Sequence, residues 1–244
     1  MLIRALILAL VLAGALPAGA ADLGPAPMMS AEEAKPWRGV GRVNVNVYRS
    51  KVMCTGVLIE PDLVLTAAHC LVNRRTGRQY RPDDVHFVTG LHRNRLSGHS
   101  RAVAIATHPG WTGKEVIDST QVGADLALFR LEKPITERSA EPFNTAAPPP
   151  PGTDIMLMSY RRDRPYALTR QDGCQYRGLK NNIMALECAV LYGASGAPVF
   201  ADIDGRPSVV AVLSAMGRPE AGRRNQAFAV RVDTVLQMLR DRLK

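Results

Sequence analysis

Four consecutive prolines, Pro148 to Pro151, followed by Gly152, divide this chain of 244 residues. Proline carries no backbone N–H and fixes φ, so such a run belongs neither inside a helix nor inside a paired sheet. Both flanks are strand-rich. Before it, Val43, Val45 and Val47 alternate, Cys54 to Ile59 forms a second apolar stretch, and Glu60-Pro61-Asp62 turns the chain into Leu63 to Leu65. After it, strands are expected near Asp154 to Ser159, Cys174 to Arg177, Ile183 to Glu187, Ala197 to Phe200 and Val209 to Met216, with Asp202-Ile203-Asp204-Gly205 as a hairpin turn. Finally Val232, Val235, Leu236, Leu239 and Leu243 fall at helical spacing behind Asp233, read as the cap. The pattern predicts an all-β fold: a first barrel over 38–146, a linker at 147–152, a second barrel over 153–231, and a C-terminal α-helix over 232–244.

The first residues read as a targeting segment rather than as fold. Arg4 is the positive start, Ala5 to Leu16 the apolar run, and Pro17-Ala18-Gly19-Ala20 the small-residue end, so a signal peptide of residues 1–20 is expected to be cleaved after Ala20. The run is shorter than the ~20 residues a spanning helix needs, so no transmembrane span is expected once it is gone. Residues 21–37, of mixed Ala, Pro, Met and Glu without a period, read as a mobile leader. The chain is therefore expected to be secreted or periplasmic, where disulfides persist. Cys54, Cys70, Cys174 and Cys188 allow three pairings, and their spacing favours the two local ones, Cys54 with Cys70 and Cys174 with Cys188.

Chemistry concentrates in Leu191-Tyr-Gly-Ala-Ser-Gly-Ala-Pro-Val199. A serine between glycines after an apolar run suits a tight turn that presents its hydroxyl beside the N–H groups of Gly193 and Ser195, a nucleophile with an oxyanion site. The same residues also suit an ordinary hairpin, so the motif needs a base and an orienting acid. Leu65-Thr66-Ala67-Ala68-His69-Cys70 offers the base, a histidine on a short turn beside a half-cystine. Together with Cys54-Thr55-Gly56-Val57-Leu58-Ile59, this segment closely resembles the catalytic histidine region of chymotrypsin-like (trypsin-fold) serine proteases. Asp125-Leu126-Ala127-Leu128 resembles the same family at its acid, and burial at a strand start would give that carboxylate need of a partner.

The resemblance covers most of residues 38–243 and implies two six-stranded barrels, with His69 and Asp125 on the first and Ser195 on the second. It implies that Ser195 attacks an acyl carbon, that His69 carries the proton, that Asp125 fixes the ring tautomer, and that the Gly193 and Ser195 N–H groups hold the oxyanion. Ser214, Ala215 and Met216 then wall a primary pocket with Ala189 and Val190 at its base and Ala227 opposite, a site without a carboxylate for Lys or Arg. Leu213 stands where glutamyl-specific bacterial relatives carry histidine. Cleavage of polypeptides after small or medium apolar residues is the expectation. Gly-Ala-Ser-Gly-Ala-Pro departs from the digestive form Gly-Asp-Ser-Gly-Gly-Pro towards bacterial exported members, and Ala194 removes the aspartate that in digestive relatives receives a newly freed N-terminal amine.

No cofactor is expected, and no metal. His86, His92, His99 and His108 share no i, i+2 or i, i+4 spacing and stand among arginines. The formal charge of +9, or +8 without Arg4, is spread over pairs such as Arg74-Arg75, Arg161-Arg162 and Arg223-Arg224 with no aromatic interleaving. That excludes a specific nucleic-acid surface and leaves a weak attraction to anionic envelope surfaces. A monomer is expected. Two rival classes stay open, a protease-fold binding module without catalysis and a basic envelope-binding protein.

Overall fold

The computed structural model describes residues 27–47, 50–73, 75–113, 118–217 and 226–243, without the side chains of Val47, Ser50 and Lys51. The expected signal peptide, the first part of the leader, Arg74 and the Arg223-Arg224 pair lie outside the described residues.

Fourteen strands are described: β1 (Val40–Val47), β2 (Ser50–Glu60), β3 (Leu63–Thr66), β4 (Val72–Asn73), β5 (Arg78–Gln79), β6 (Val85–Thr89), β7 (Gly98–Thr107), β8 (Ala127–Leu131), β9 (Asp154–Arg161), β10 (Arg164–Lys180), β11 (Ile183–Glu187), β12 (Pro198–Ile203), β13 (Arg206–Met216) and β14 (Gln226–Arg231). Two helices, α1 (Ser119–Gly123) and α2 (Leu236–Asp241), complete the order with short 3-10 turns. The strands close into two six-stranded barrels, β1-β2-β3-β8-β7-β6 and β10-β11-β14-β13-β12-β9, with β4 and β5 as a separate ribbon. Closure abolishes sheet edges, which is how antiparallel chains of this length avoid pairing with one another. The proline run passes between the barrels. Its entry is stitched to β13, where the Ala146 N–H donates to Val209 (3.0 Å) and the Val209 N–H to Asn144 (2.8 Å).

Alternation in sequence becomes alternation in burial. Val43 and Val45 of β1, Val57 of β2 and Phe87 of β6 are fully enclosed, and each such apolar side chain contributes about 1.5–3 kcal/mol. One apolar cluster runs from these residues through Met158, Tyr160 and Phe200 to Val232, Leu236 and Leu239, so the barrels share packing rather than merely touching. The hairpin expected at Asp202 to Gly205 is present: Ile203 pairs with Arg206, and Asp204 and Gly205 both take positive φ (53° and 77°), as a two-residue turn of matching twist requires. Asp202 Oδ1 accepts the Gly205 N–H at 2.8 Å. Both disulfides, Cys54 to Cys70 and Cys174 to Cys188, are formed as the spacing favours.

Two expectations are corrected. The described part of the leader is docked, not mobile: the Met29 N–H donates to Leu168 at 2.9 Å, Met28 bridges to Thr169, and Met29 is buried. Trp37 then stacks on Phe143 (5.7 Å) and meets the edge of Phe200 (5.4 Å), with Arg170 over its ring. These residues show no period because each fills a separate gap between strands. Trp37→Ala is expected to cost about 2–4 kcal/mol, less than a fully buried aromatic at the upper end, read as a lowered midpoint in urea at unchanged slope. The terminal helix is also shorter than 232–244. Asp233 does not cap it; its carboxylate pairs with Arg231, and α2 starts after Val235 with no side-chain cap.

Candidate active site

Three segments from separate parts of the chain converge where the barrels meet. His69 lies on the 3-10 turn Ala68–Cys70 at the end of β3, and the Cys54 to Cys70 bridge ties that turn to β2. Asp125 follows α1 and leads into β8. The helix is set by Asp118, which accepts the Gln121 N–H at 2.9 Å as its cap.

Asp125 is 1% exposed, and a buried carboxylate is tolerable only when its lone pairs are met. Here three donors meet it. Its Oδ1 accepts the His69 backbone N–H at 2.8 Å, and its Oδ2 lies 2.6 Å from His69 Nδ1 and accepts the Ser214 hydroxyl at 2.5 Å. With Nδ1 donating to the carboxylate, Nε2 is left as the ring's accepting nitrogen. The His69 side chain retains 12% of its exposure, and Trp111 stands 6.4 Å from it, centroid to centroid.

Ser195 sits between Leu191 and β12 in a turn held from three sides. Its carbonyl accepts the Thr55 N–H of β2 at 2.8 Å, the Gly196 N–H donates to Leu213 of β13 at 2.8 Å, and the Tyr192 carbonyl accepts the Arg162 N–H at 2.8 Å. Gly193 and Gly196 take φ of 95° and 79°. A Cβ on Gly196 would fall 2.2 Å from both the Thr55 carbonyl and Thr66 Oγ1, so only glycine lets the serine turn close on the first barrel. Among the described residues, neither the Gly193 nor the Ser195 N–H donates to another protein group. Ala194 is buried in the second barrel's core.

The residues expected to form the primary pocket share one edge of the second barrel. Ala227 pairs with both Leu186 and Met216, Ala215 pairs with Phe228, and Ala189 and Val190 follow Cys188 beside that row. Glu187, the carboxylate nearest in sequence, binds Arg177 instead. Ser214, expected only as a wall residue, also reaches the proposed acid. The register shifts between Leu213 and Ala215, and a bulge at that point turns the Ser214 hydroxyl onto Asp125.

Thr55 is the residue that the sequence reading passed over. Besides holding Ser195, its Oγ1 accepts the Tyr160 N–H at 3.0 Å and lies 3.3 Å from the Gly193 carbonyl, while its own carbonyl accepts Thr66 Oγ1 at 2.7 Å. Tyr160 beneath it donates its hydroxyl to Leu91 at 3.3 Å, and burial pushes that phenol well above its ordinary pKa, so it stays protonated. Next to the site, a cavity of about 660 Å³ opens between α1 and the second barrel, lined by Val122, Leu179, Ile183 and Phe228 among others.

Two closed barrels with His, Asp and Ser segments meeting at their junction define the chymotrypsin-like class. Residues 30–239 match the trypsin family, and the chain belongs to it. It is 33% identical over 115 residues to kallikrein 1-related peptidase b8 of Mus musculus, covering 42% of this chain and 37% of that protein. It is 31% identical over 83 residues to chymotrypsin of Phaedon cochleariae, covering 34% and 26%. With coagulation factor XII of Cavia porcellus it shares 35% over 88 residues, covering 36% and 13%. The matched stretches thus span well under two thirds of these relatives' own lengths. No helix among the described residues is long and apolar enough to cross a membrane.

Proposed function

We propose that this chain is an exported serine endopeptidase that acts through an acyl-enzyme. The observation that carries the reading is the buried Asp125 carboxylate, engaged at once by His69 Nδ1, the His69 N–H and the Ser214 hydroxyl. So held, the ring accepts a proton only at Nε2. Ser195 gives up its proton there as its oxygen attacks the carbonyl carbon, and the imidazolium that results is stabilised by Asp125 and then protonates the leaving amine. Negative charge on the carbonyl oxygen is received by the N–H groups of Gly193 and Ser195, held in place by their glycine turn. Water repeats the sequence on the acyl group. Labelling with an active-site-directed fluorophosphonate tests the reading: covalent capture at Ser195 supports it, and no capture by the folded protein favours the binding-module alternative.

Specificity follows from the pocket edge. Ala189, Val190, Ala215, Met216 and Ala227 offer no charge, and Glu187 is occupied by Arg177. Burying a Lys, Arg or Glu side chain there would leave an unpaired ion, whereas a small or medium apolar side chain loses nothing. Esters of Ala, Val or Leu are expected to be turned over with higher kcat/KM than those of Arg or Glu; the reverse order refutes the assignment. The cavity lined by Val122, Leu179, Ile183 and Phe228 would extend the apolar preference to a neighbouring substrate residue. Because Ala194 offers no carboxylate to an N-terminal amine, the serine turn depends on its bonds to Thr55, Arg162 and Leu213, and cleavage of the signal peptide alone yields a competent monomer.

A further inference from the structure

Spacing along the chain gives no hint that any two of His86, His92, His99 and His108 meet, yet the β6 to β7 pairing brings two of them together. His86 is opposite Arg101 and His99 opposite Val88, so the histidines are diagonal neighbours on one face of the sheet. Both rings reach solvent, with His86 half-buried and His99 exposed. His86 Nδ1 and His99 Nε2 are 3.1 Å apart, and the ring planes differ by 17°.

We propose that His86 and His99 form a surface site for a divalent transition-metal ion such as zinc. Two imidazole nitrogens bound to one zinc at ~2.0–2.1 Å, with an angle of about 90–110° between them, lie ~2.9–3.4 Å apart, and the pair already stands within that interval. Binding replaces the proton shared by the two nitrogens, with both rings turning to aim their lone pairs at the ion. The nearest cation is disarmed: Arg101 is engaged by Asp83 at 3.0 Å and by Glu132 at 2.5 Å. Asp84, two residues before His86, acts electrostatically on its ring. Its negative charge favours a cation there, and water completes the shell. A pair of imidazoles suits zinc and its neighbours and does not suit calcium or magnesium.

The site is independent of the proposed catalysis, and its test does not read activity. The secreted chain, freed of metal with a chelator and desalted, is titrated with ZnCl2 by calorimetry in a non-coordinating buffer. One saturable site is expected. His86→Ala and His99→Ala are each expected to weaken it by at least ~10-fold, since loss of even an outer partner of a metal ligand costs about 10–100-fold. His69→Ala, which removes the other accessible imidazole near a carboxylate, should leave the affinity unchanged, as should excess MgCl2. His86→Gln and His99→Gln, which keep side-chain volume, repeat the test should an alanine variant fold poorly. The proposal is overturned if zinc shows no saturable binding, if the double His86/His99 variant binds as tightly as the parent, or if only His69→Ala abolishes binding.

Discussion

Asp125→Asn is expected to lower kcat by ~10⁴-fold at neutral pH, the loss associated with this change in Ser-His-Asp sites, while the protein stays folded. The reason is donor counting. The carboxylate accepts on both oxygens, with Oδ2 serving His69 Nδ1 and Ser214 together. An amide accepts on one atom and donates from the other. If its nitrogen takes the Oδ2 place, it faces two donors, and the ring must shift its proton to Nε2, where it can no longer accept from Ser195. If its oxygen takes that place, the nitrogen faces the His69 backbone N–H, which loses its acceptor. Either way a buried group goes unmatched, at about 1–3 kcal/mol of stability. The rate loss corresponds to about 5.4 kcal/mol, so it exceeds what destabilisation alone can explain. Steady-state kinetics beside urea denaturation separates the two, and a folded variant retaining a tenth of the parent's kcat would remove Asp125 from the mechanism.

Ser195→Ala is expected to reduce hydrolysis by at least ~10³-fold and to abolish fluorophosphonate labelling, because only the oxyanion and binding contributions survive. Its stability should barely change. The turn is held through the Ser195 carbonyl and the Gly196 N–H, not through the hydroxyl. Adding His69→Ala should lower the rate little further, since base and nucleophile act as one unit. Near-normal turnover by the single variant, or a second loss as large as the first, would contradict the assignment.

How far the chain could be read in advance depended on whether a residue's partner was local. The barrels announce themselves in period-2 runs such as Val43 and Val45, and the disulfides in spacings of 16 and 14 residues. His69, Asp125 and Ser195 stood out as candidates because the short segments around them resemble one family, which composition alone would not have shown. Thr55 was not, because its role rests on Tyr160, 105 residues away, and Gly193, 138 away. Ser214 stood in the right strand, but its bond to Asp125 depends on a bulge that alternation does not reveal. The His86 and His99 pair was hidden for a similar reason, since hairpin register rather than sequence spacing decides who faces whom. Met29 and Trp37 were misread as mobile because single anchoring residues leave no period.

The grip of Thr55 on the serine turn also bears on when the junction between the barrels can form. A nascent chain that has emerged only as far as the prolines holds His69 and Asp125, but neither Ser195 nor the Ser214 hydroxyl that completes the carboxylate's set of donors. The second half by itself has Ser195 but lacks the strand on which its turn is hung. Neither fragment contains a working cleft, and assembly of that cleft cannot precede the docking of one barrel on the other. A truncated or half-folded copy therefore lacks the arrangement on which the proposed catalysis depends until the two halves close.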